Sequence, residues 1–223
     1  MTRRALSLRI FRLRFKFLFV ALLLVILASP FLDDSLLHRA YFILLFAMVM
    51  LAAILIASDR HPHKIVALTI GAVWLVVSLI GLSWQTDTVA IYANLLVCMF
   101  SAYVLYLVLS KVVGAKQVDL NILLGAASVY LLIALAWTAS YMVIFQLEPE
   151  AFNLIHGETR PYFHQFLYFS LTTLTTVGYG DITPVNPFAQ IWATMEAVCG
   201  TLYMALLVAR LVGLYQSQKP QTE

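Results

Sequence analysis

The sequence predicts an all-α membrane protein with six spanning helices and one re-entrant segment between the fifth and the sixth. Three observations predict it. Of 223 residues, 62% are hydrophobic and 11% charged, whereas soluble domains run at roughly 45–50% apolar and about 25% charged. Six apolar stretches approach the ~20 residues that a helix needs to cross the hydrocarbon of a bilayer. A further segment, 161–184, is largely apolar but is not patterned as a spanning helix. So little polar surface cannot cover a globule in water, which excludes a secreted domain, a soluble enzyme and a disordered tail.

The first stretch, 17–32, is short and carries Pro30 near its end. The basic segment before it, 2–16, resembles the start of a signal peptide. No small-x-small cleavage site follows, so an uncleaved span is expected. The next four stretches are 40–58, 65–83, 88–110 and 120–146, and the last is 187–215. Two of the fourteen Lys and Arg residues, Arg39 and Arg160, fall in odd-numbered connections. The other twelve lie at the N-terminus, in even-numbered connections or in the C-terminal tail. By the positive-inside rule both termini are therefore cytoplasmic. Asp33, Asp34, Asp87, Glu148, Glu150, Glu158 and Asp181 fall outside. The pI near 8.9 reports this topology rather than a nucleic-acid partner. Cys98 and Cys199 lie within apolar runs and read as small core residues, not a disulfide. The tail after Tyr215 is too short to fold alone.

Segment 161–184 begins as a helix should, with Pro161 suited to a first turn and Thr159 or Arg160 at the cap. Phe163, Phe166, Leu167, Ser170, Leu171 and Leu174 recur at helical spacing. After Thr175 the pattern changes: Gly178 and Gly180 alternate with Val177 and Tyr179, and Asp181 follows. A spanning reading here would reverse the C-terminus and break the charge rule. A re-entrant helix with an extended return preserves it. Irregular backbone at membrane depth is tolerated only where it is buried in protein or lines a water-filled path. An extended strand with alternate glycines can aim successive carbonyl oxygens at one axis, and rings of such oxygens replace a cation's hydration shell. One strand cannot make a ring, so several chains must contribute. The helix before it would present its negative dipole end to the cation.

The string Thr175-Thr176-Val177-Gly178-Tyr179-Gly180-Asp181 resembles the selectivity filter of potassium channels, with a pore helix before it and an apolar span on each side. The resemblance covers 120–215. The first four spans are similar to the peripheral helices of six-span channels in number and position only. The resemblance implies that the carbonyls of Thr176, Val177, Gly178 and Tyr179, with Gly180 completing the strand and the Thr176 hydroxyl adding an oxygen, bind dehydrated K⁺. One loop per chain implies a homotetramer. Many members place two tryptophans behind the filter, where this chain has Tyr168 and Phe169. Phe169 cannot donate a hydrogen bond, so Thr173 is the expected partner of the Tyr179 hydroxyl, with Thr172 and Thr175 beside it, and Tyr168 is expected to reach Asp181. Gly200 sits where the family often has a hinge glycine, and close helix packing explains a glycine there equally. Thr201, Met204 and Val208 recur on one helix face, which by resemblance lines the cavity and lower gate.

Glu196 is the only acidic residue well inside a predicted span, where ionisable groups are costly and usually functional or paired. It precedes Thr201 by five positions, about 140° around a helix. With Thr201 facing the cavity, Glu196 is expected to face the pore helix, hydrogen-bond Thr172 or Thr173, and brace the filter. The alternative is a cavity-lining role that concentrates cations. Span 88–110 holds no basic residue, so the chain lacks the repeated arginines of a voltage sensor. His61-Pro62-His63 beside Asp59 reads as a polar cytoplasmic turn rather than a metal site. His156 and His164 lie near the outer mouth and would confer sensitivity to external pH.

The expected organisation is a basic cytoplasmic N-terminus at 1–16, a four-helix peripheral domain at 17–116, a pore domain at 117–216 and a short tail at 217–223. No cofactor, catalytic residue or ligand-sensing domain is expected. The leading function is passive, K⁺-selective conduction across the plasma membrane without strong voltage gating, with K⁺, lipid and sister subunits as partners. A non-selective or modulatory cation channel subunit and a K⁺ transporter component are the alternatives, and an unidentified regulatory subunit is a further candidate partner. A single pore loop per chain argues against the transporter.

Overall fold

The computed structural model describes residues 3–31, 36–57, 61–84, 86–115, 117, 119–154 and 163–218, with side chains from Arg14 to Gly213 apart from 36–39. The expectations for Asp33, Asp34, Asp59, Arg60, Lys116, His156, Glu158, Thr159, Arg160, Pro161 and Lys219 lie outside the described residues. Among the described residues the chain forms seven α-helices: α1 (Arg3–Ala28), α2 (Leu36–Ala57), α3 (His61–Ser83), α4 (Asp87–Val113), α5 (Leu120–Leu147), α6 (Phe163–Leu174) and α7 (Pro187–Gln218). All but α6 are long and apolar enough to cross a membrane. The chain is an all-α membrane protein.

Two of the differences from the expected boundaries have a clear local cause. The first helix is not short, because the basic segment before 17 is itself helical and α1 runs for 26 residues. Arg and Lys are good helix formers, and no proline intervenes before Pro30. Pro30 then ends α1, and the chain leaves through a 3-10 turn, Ser29–Phe31, in which the Ser29 hydroxyl donates to the Ile26 carbonyl at 2.8 Å. The second difference is at His61-Pro62-His63, which is the first turn of α3 rather than a loop. Pro62 suits that turn because its missing N–H has no partner there in any helix. Tyr103 of α4 fixes this end: its hydroxyl donates to the His63 carbonyl at 3.1 Å and lies 3.0 Å from His63 Nδ1.

Polar side chains close the other helix ends. Asp119 accepts from Ile122 N–H at 2.9 Å to start α5, and Asn186 accepts from Ala189 N–H at 2.7 Å to start α7. Lys111 donates to the Ile56 carbonyl at 2.7 Å, in the last turn of α2.

Helix α5 is the centre of the fold and packs on α1, α4, α6 and α7, while α1 to α4 each pack on the next in sequence. Phe15, Leu22, Phe46, Trp74, Phe100 and Leu132 fill the main core. A second core of Tyr141, Phe145, Phe152, Phe166, Phe169 and Ile182 lies beside α6. Two short strands, β1 (Phe152–Asn153) and β2 (Thr183–Pro184), pair antiparallel with Phe152 opposite Pro184, bringing together the chain before α6 and the chain after it. Only 11% of the apolar window of α7 is buried, against 56% for α5. So α7 lies along one side of the molecule with most of its apolar surface uncovered.

Candidate functional site

Helix α6 has 12 residues, a rise of about 18 Å, well short of the ~30 Å hydrocarbon. Its last turn is followed by backbone that folds back on it. The amide of Thr176 donates to the Thr173 carbonyl at 2.9 Å, and the amides of Val177 and Gly178 both donate to the Thr172 carbonyl, at 2.8 and 3.2 Å. With these N–H groups directed into α6, the carbonyls of the same residues are left for another partner. Thr176, Gly178 and Gly180 have φ of 59°, 52° and 79°. Three alternate residues thus take the left-handed region. For a β-branched residue such as Thr176 that region costs of order 1–3 kcal/mol and persists only where the surroundings impose it. A Cβ built on Gly178 or Gly180 meets nothing within 4 Å, so conformation and not crowding requires glycine there.

Thr172 and Thr173 accept the amides of the returning strand through their main-chain carbonyls. The Thr172 hydroxyl turns back into the helix and donates to Phe169 O at 3.0 Å. Thr175 Oγ1 donates to Leu171 O at 2.6 Å. Within the single chain no hydrogen bond between Thr173 and the Tyr179 hydroxyl occurs among the described residues, where Tyr179 is exposed. The Tyr179 ring instead lies parallel to that of Tyr168, with centroids 6.1 Å apart and planes 4° apart. Phe169 is buried among Tyr141 and Phe152.

Tyr168 donates to Asp181 Oδ2 at 2.7 Å. That hydrogen bond pushes the phenol up to about 12, so Tyr168 remains a donor throughout the physiological range. Asp181 Oδ1 accepts from the Ile182 amide at 3.0 Å. The pair ties α6 to the strand that follows it. Tyr168→Phe is expected to leave the fold intact and to shorten the lifetime of the conducting state. Single-channel recording in a planar bilayer checks this through the mean open time.

The side chain of Glu196 is fully buried. It reaches α6 at Ser170 rather than at Thr172 or Thr173. Oε1 lies 2.5 Å from the Ser170 hydroxyl, and Oε2 accepts from Tyr141 of α5 at 2.5 Å. The reason is register. Ser170 meets Glu196 and, one turn on, Leu174 meets Gly200, so Thr172 and Thr173 fall off that seam. A Cβ built on Gly200 lies 2.3 Å from the Leu174 carbonyl oxygen. Close packing of α7 on the end of α6 accounts for this glycine, and α7 continues through it to Gln218. Beyond it, Thr201, Met204 and Val208 are exposed.

The sequence reading missed the face of α5 that holds α6. The Tyr130 hydroxyl donates to the Leu174 carbonyl at 3.1 Å, and the Ala134 carbonyl lies 2.9 Å from the Ser170 hydroxyl. Trp137 Nε1 donates to the Trp192 carbonyl at 3.3 Å, while Tyr141 reaches Glu196. Positions 130, 134, 137 and 141 form one helical stripe; three polar-tipped aromatics within an apolar span were the available signal. Also missed was Arg210, whose guanidinium on α7 donates to the carbonyls of Val113 and Ala115 at the end of α4. No group of three or more His, Cys, Asp or Glu suited to a metal occurs among the described residues.

A family model described as an ion channel matches residues 122–217, from the start of α5 to the end of α7. The two pore potassium channel c of Oryza sativa subsp. japonica is 33% identical over 81 residues, 36% of this chain and 18% of that protein. The inward rectifier potassium channel Kirbac3.1 of Paramagnetospirillum magnetotacticum is 35% identical over 75 residues, 34% of this chain and 22% of its own. The potassium voltage-gated channel protein shk-1 of Caenorhabditis elegans is 43% identical over 49 residues, 22% and 9% respectively. The matches span less than a quarter of each relative's length.

Proposed function

We propose, from the match of residues 122–217 to an ion-channel family model, that four copies of this chain form a K⁺-selective channel that conducts passively across the plasma membrane. The observation that carries this reading is the alternation of left-handed backbone at Thr176, Gly178 and Gly180 directly after the short helix α6. In a tetramer this alternation directs the carbonyls of Thr176, Val177, Gly178 and Tyr179 to a common axis, with Gly180 releasing the strand outward. Four such strands give stacked oxygen rings that replace the hydration shell of K⁺. The C-terminal dipole end of each α6, re-entrant from the outer face, adds a field favourable to a cation.

The uncovered surface of α7 supports the tetramer, since neighbouring copies would bury it. Thr201, Met204 and Val208 then line the inner cavity. The pore domain occupies 117–216 and the peripheral helices 17–116, with 1–16 and 217–223 in the cytoplasm. Helix α4 carries a single basic residue, Lys111, in its last turn. Without charges spread through the field, strong voltage gating is not expected of it.

Rubidium uptake into K⁺-loaded vesicles containing the purified protein tests the function. Uptake above protein-free vesicles, unaffected by external Na⁺, is the expected result. Equal entry of labelled Na⁺ would favour a non-selective pore instead.

A further inference from the structure

Three oxygen–oxygen contacts meet at Ser170 and Glu196. Tyr141 Oη lies 2.5 Å from Glu196 Oε2, Ser170 Oγ lies 2.5 Å from Glu196 Oε1, and the same Ser170 Oγ lies 2.9 Å from the Ala134 carbonyl oxygen. Each hydrogen bond needs one proton. Tyr141 supplies one and Ser170 supplies one, while a backbone carbonyl supplies none. With an ionised Glu196, one of the two contacts at Ser170 would be a bare oxygen–oxygen approach at hydrogen-bond distance. Glu196 is fully buried, and among the described residues no basic side chain pairs with it. The groups that face it are uncharged: Tyr141 from α5 and Ser170 from α6. A buried carboxylate in that setting would carry an uncompensated charge.

A proton on Glu196 completes the count. Glu196 then donates to Ser170, Ser170 donates to the Ala134 carbonyl, and Tyr141 donates to Glu196. We propose that Glu196 carries a proton and that its hydrogen-bonded clasp with Tyr141, Ser170 and Ala134 is a positioning device that fixes the pore helix α6 to the inner helix α7. Two features give the clasp its reach. Its spacing matches a second contact one turn on: Ser170 and Leu174 on α6 face Glu196 and Gly200 on α7, each pair four residues apart. Tyr130 holds the Leu174 carbonyl from α5 at that second level. The α6 carbonyls of Thr172 and Thr173, which accept the filter amides, lie between the two levels. A tilt or slide of α7 is therefore passed to the filter through Ser170.

The positioning role rests on the conduction reading; the proton does not. Infrared spectroscopy of the purified full chain in lipid at neutral pH tests the proton. The wild type should show the carbonyl stretch of a neutral carboxylic acid, and Glu196→Gln should lose it. A wild type without that band overturns the proposal. Tyr141→Phe removes one hydrogen bond to the carboxyl with almost no change of volume, so the band should shift to higher frequency; an unshifted band overturns the clasp. For the positioning role, Glu196→Gln keeps one donor towards Ser170 and one acceptor towards Tyr141, and should retain K⁺ selectivity. Glu196→Ala and Ser170→Ala should lose it. Equal loss in Glu196→Gln and Glu196→Ala overturns the positioning role. A wild type that shows the band but carries no K⁺ overturns the conduction reading and the positioning role with it, and upholds the proton.

Discussion

Gly178→Ala is expected to abolish K⁺ flux through the reconstituted protein while leaving its helices in place. Gly178 has a φ of 52°, and left-handed backbone costs an L-residue roughly 1–2 kcal/mol. Nothing lies within 4 Å of the added methyl, so the penalty is conformational and cannot be relieved by moving a neighbour. Four copies meet at one axis in the proposed assembly, so the strain is repeated four times in one small structure. The peptide plane between Val177 and Gly178 is free to rotate once its amide leaves the Thr172 carbonyl, and a rotated plane withdraws a carbonyl from the axis. Rubidium uptake and circular dichroism on the same preparation separate loss of conduction from loss of fold.

Gly200→Ala is expected to damage the protein at a different level, that of packing. The added Cβ would lie 2.3 Å from the Leu174 carbonyl oxygen and 2.8 Å from Leu174 Cδ1. The nearer atom is backbone and belongs to the last turn of α6, which carries the filter. Either α7 moves away or α6 does. Overpacking of this kind costs about 1–3 kcal/mol, and the displacement falls four residues from the Glu196 clasp. A lower thermal unfolding midpoint together with weakened selectivity is the expected outcome. A glycine needed only as a hinge would tolerate alanine in the unfolding measurement and change gating alone.

Much of the fold was legible in the sequence because lipid imposes simple rules. Six apolar runs set the spans, and the structure places helices at each run; the two-against-twelve split of basic residues sets the direction expected of them. The ends were less legible. The basic lead into α1 and the His61-Pro62-His63 turn were both drawn into helices, since helix propensity and a proline in the first turn act locally while hydropathy windows average over them. At the filter, the glycine alternation was readable, because it states a backbone requirement directly. What the sequence could not show was who faces whom. Thr173 looked like the natural partner of Tyr179 by its hydroxyl, but the ring of Tyr168 is the neighbour that the fold supplies. Glu196 could be turned towards the pore helix by counting degrees around a helix, yet its partner depended on the relative height of α6 and α7. That height is fixed by Gly200 against Leu174, a contact between residues 26 apart in the chain. Ser170 gave no local sign of its role, since a serine in an apolar helix usually bonds its own backbone, whereas Tyr141 belongs to a stripe of polar-tipped aromatics that could have been noticed.

The most direct test of the central claim is the reversal potential of the purified protein in a planar bilayer with K⁺ on one side and Na⁺ on the other. A K⁺-selective pore gives a reversal potential displaced strongly towards the K⁺ equilibrium value, and Tyr179→Asp is expected to reduce that displacement. A current that reverses near zero in the wild type would contradict it.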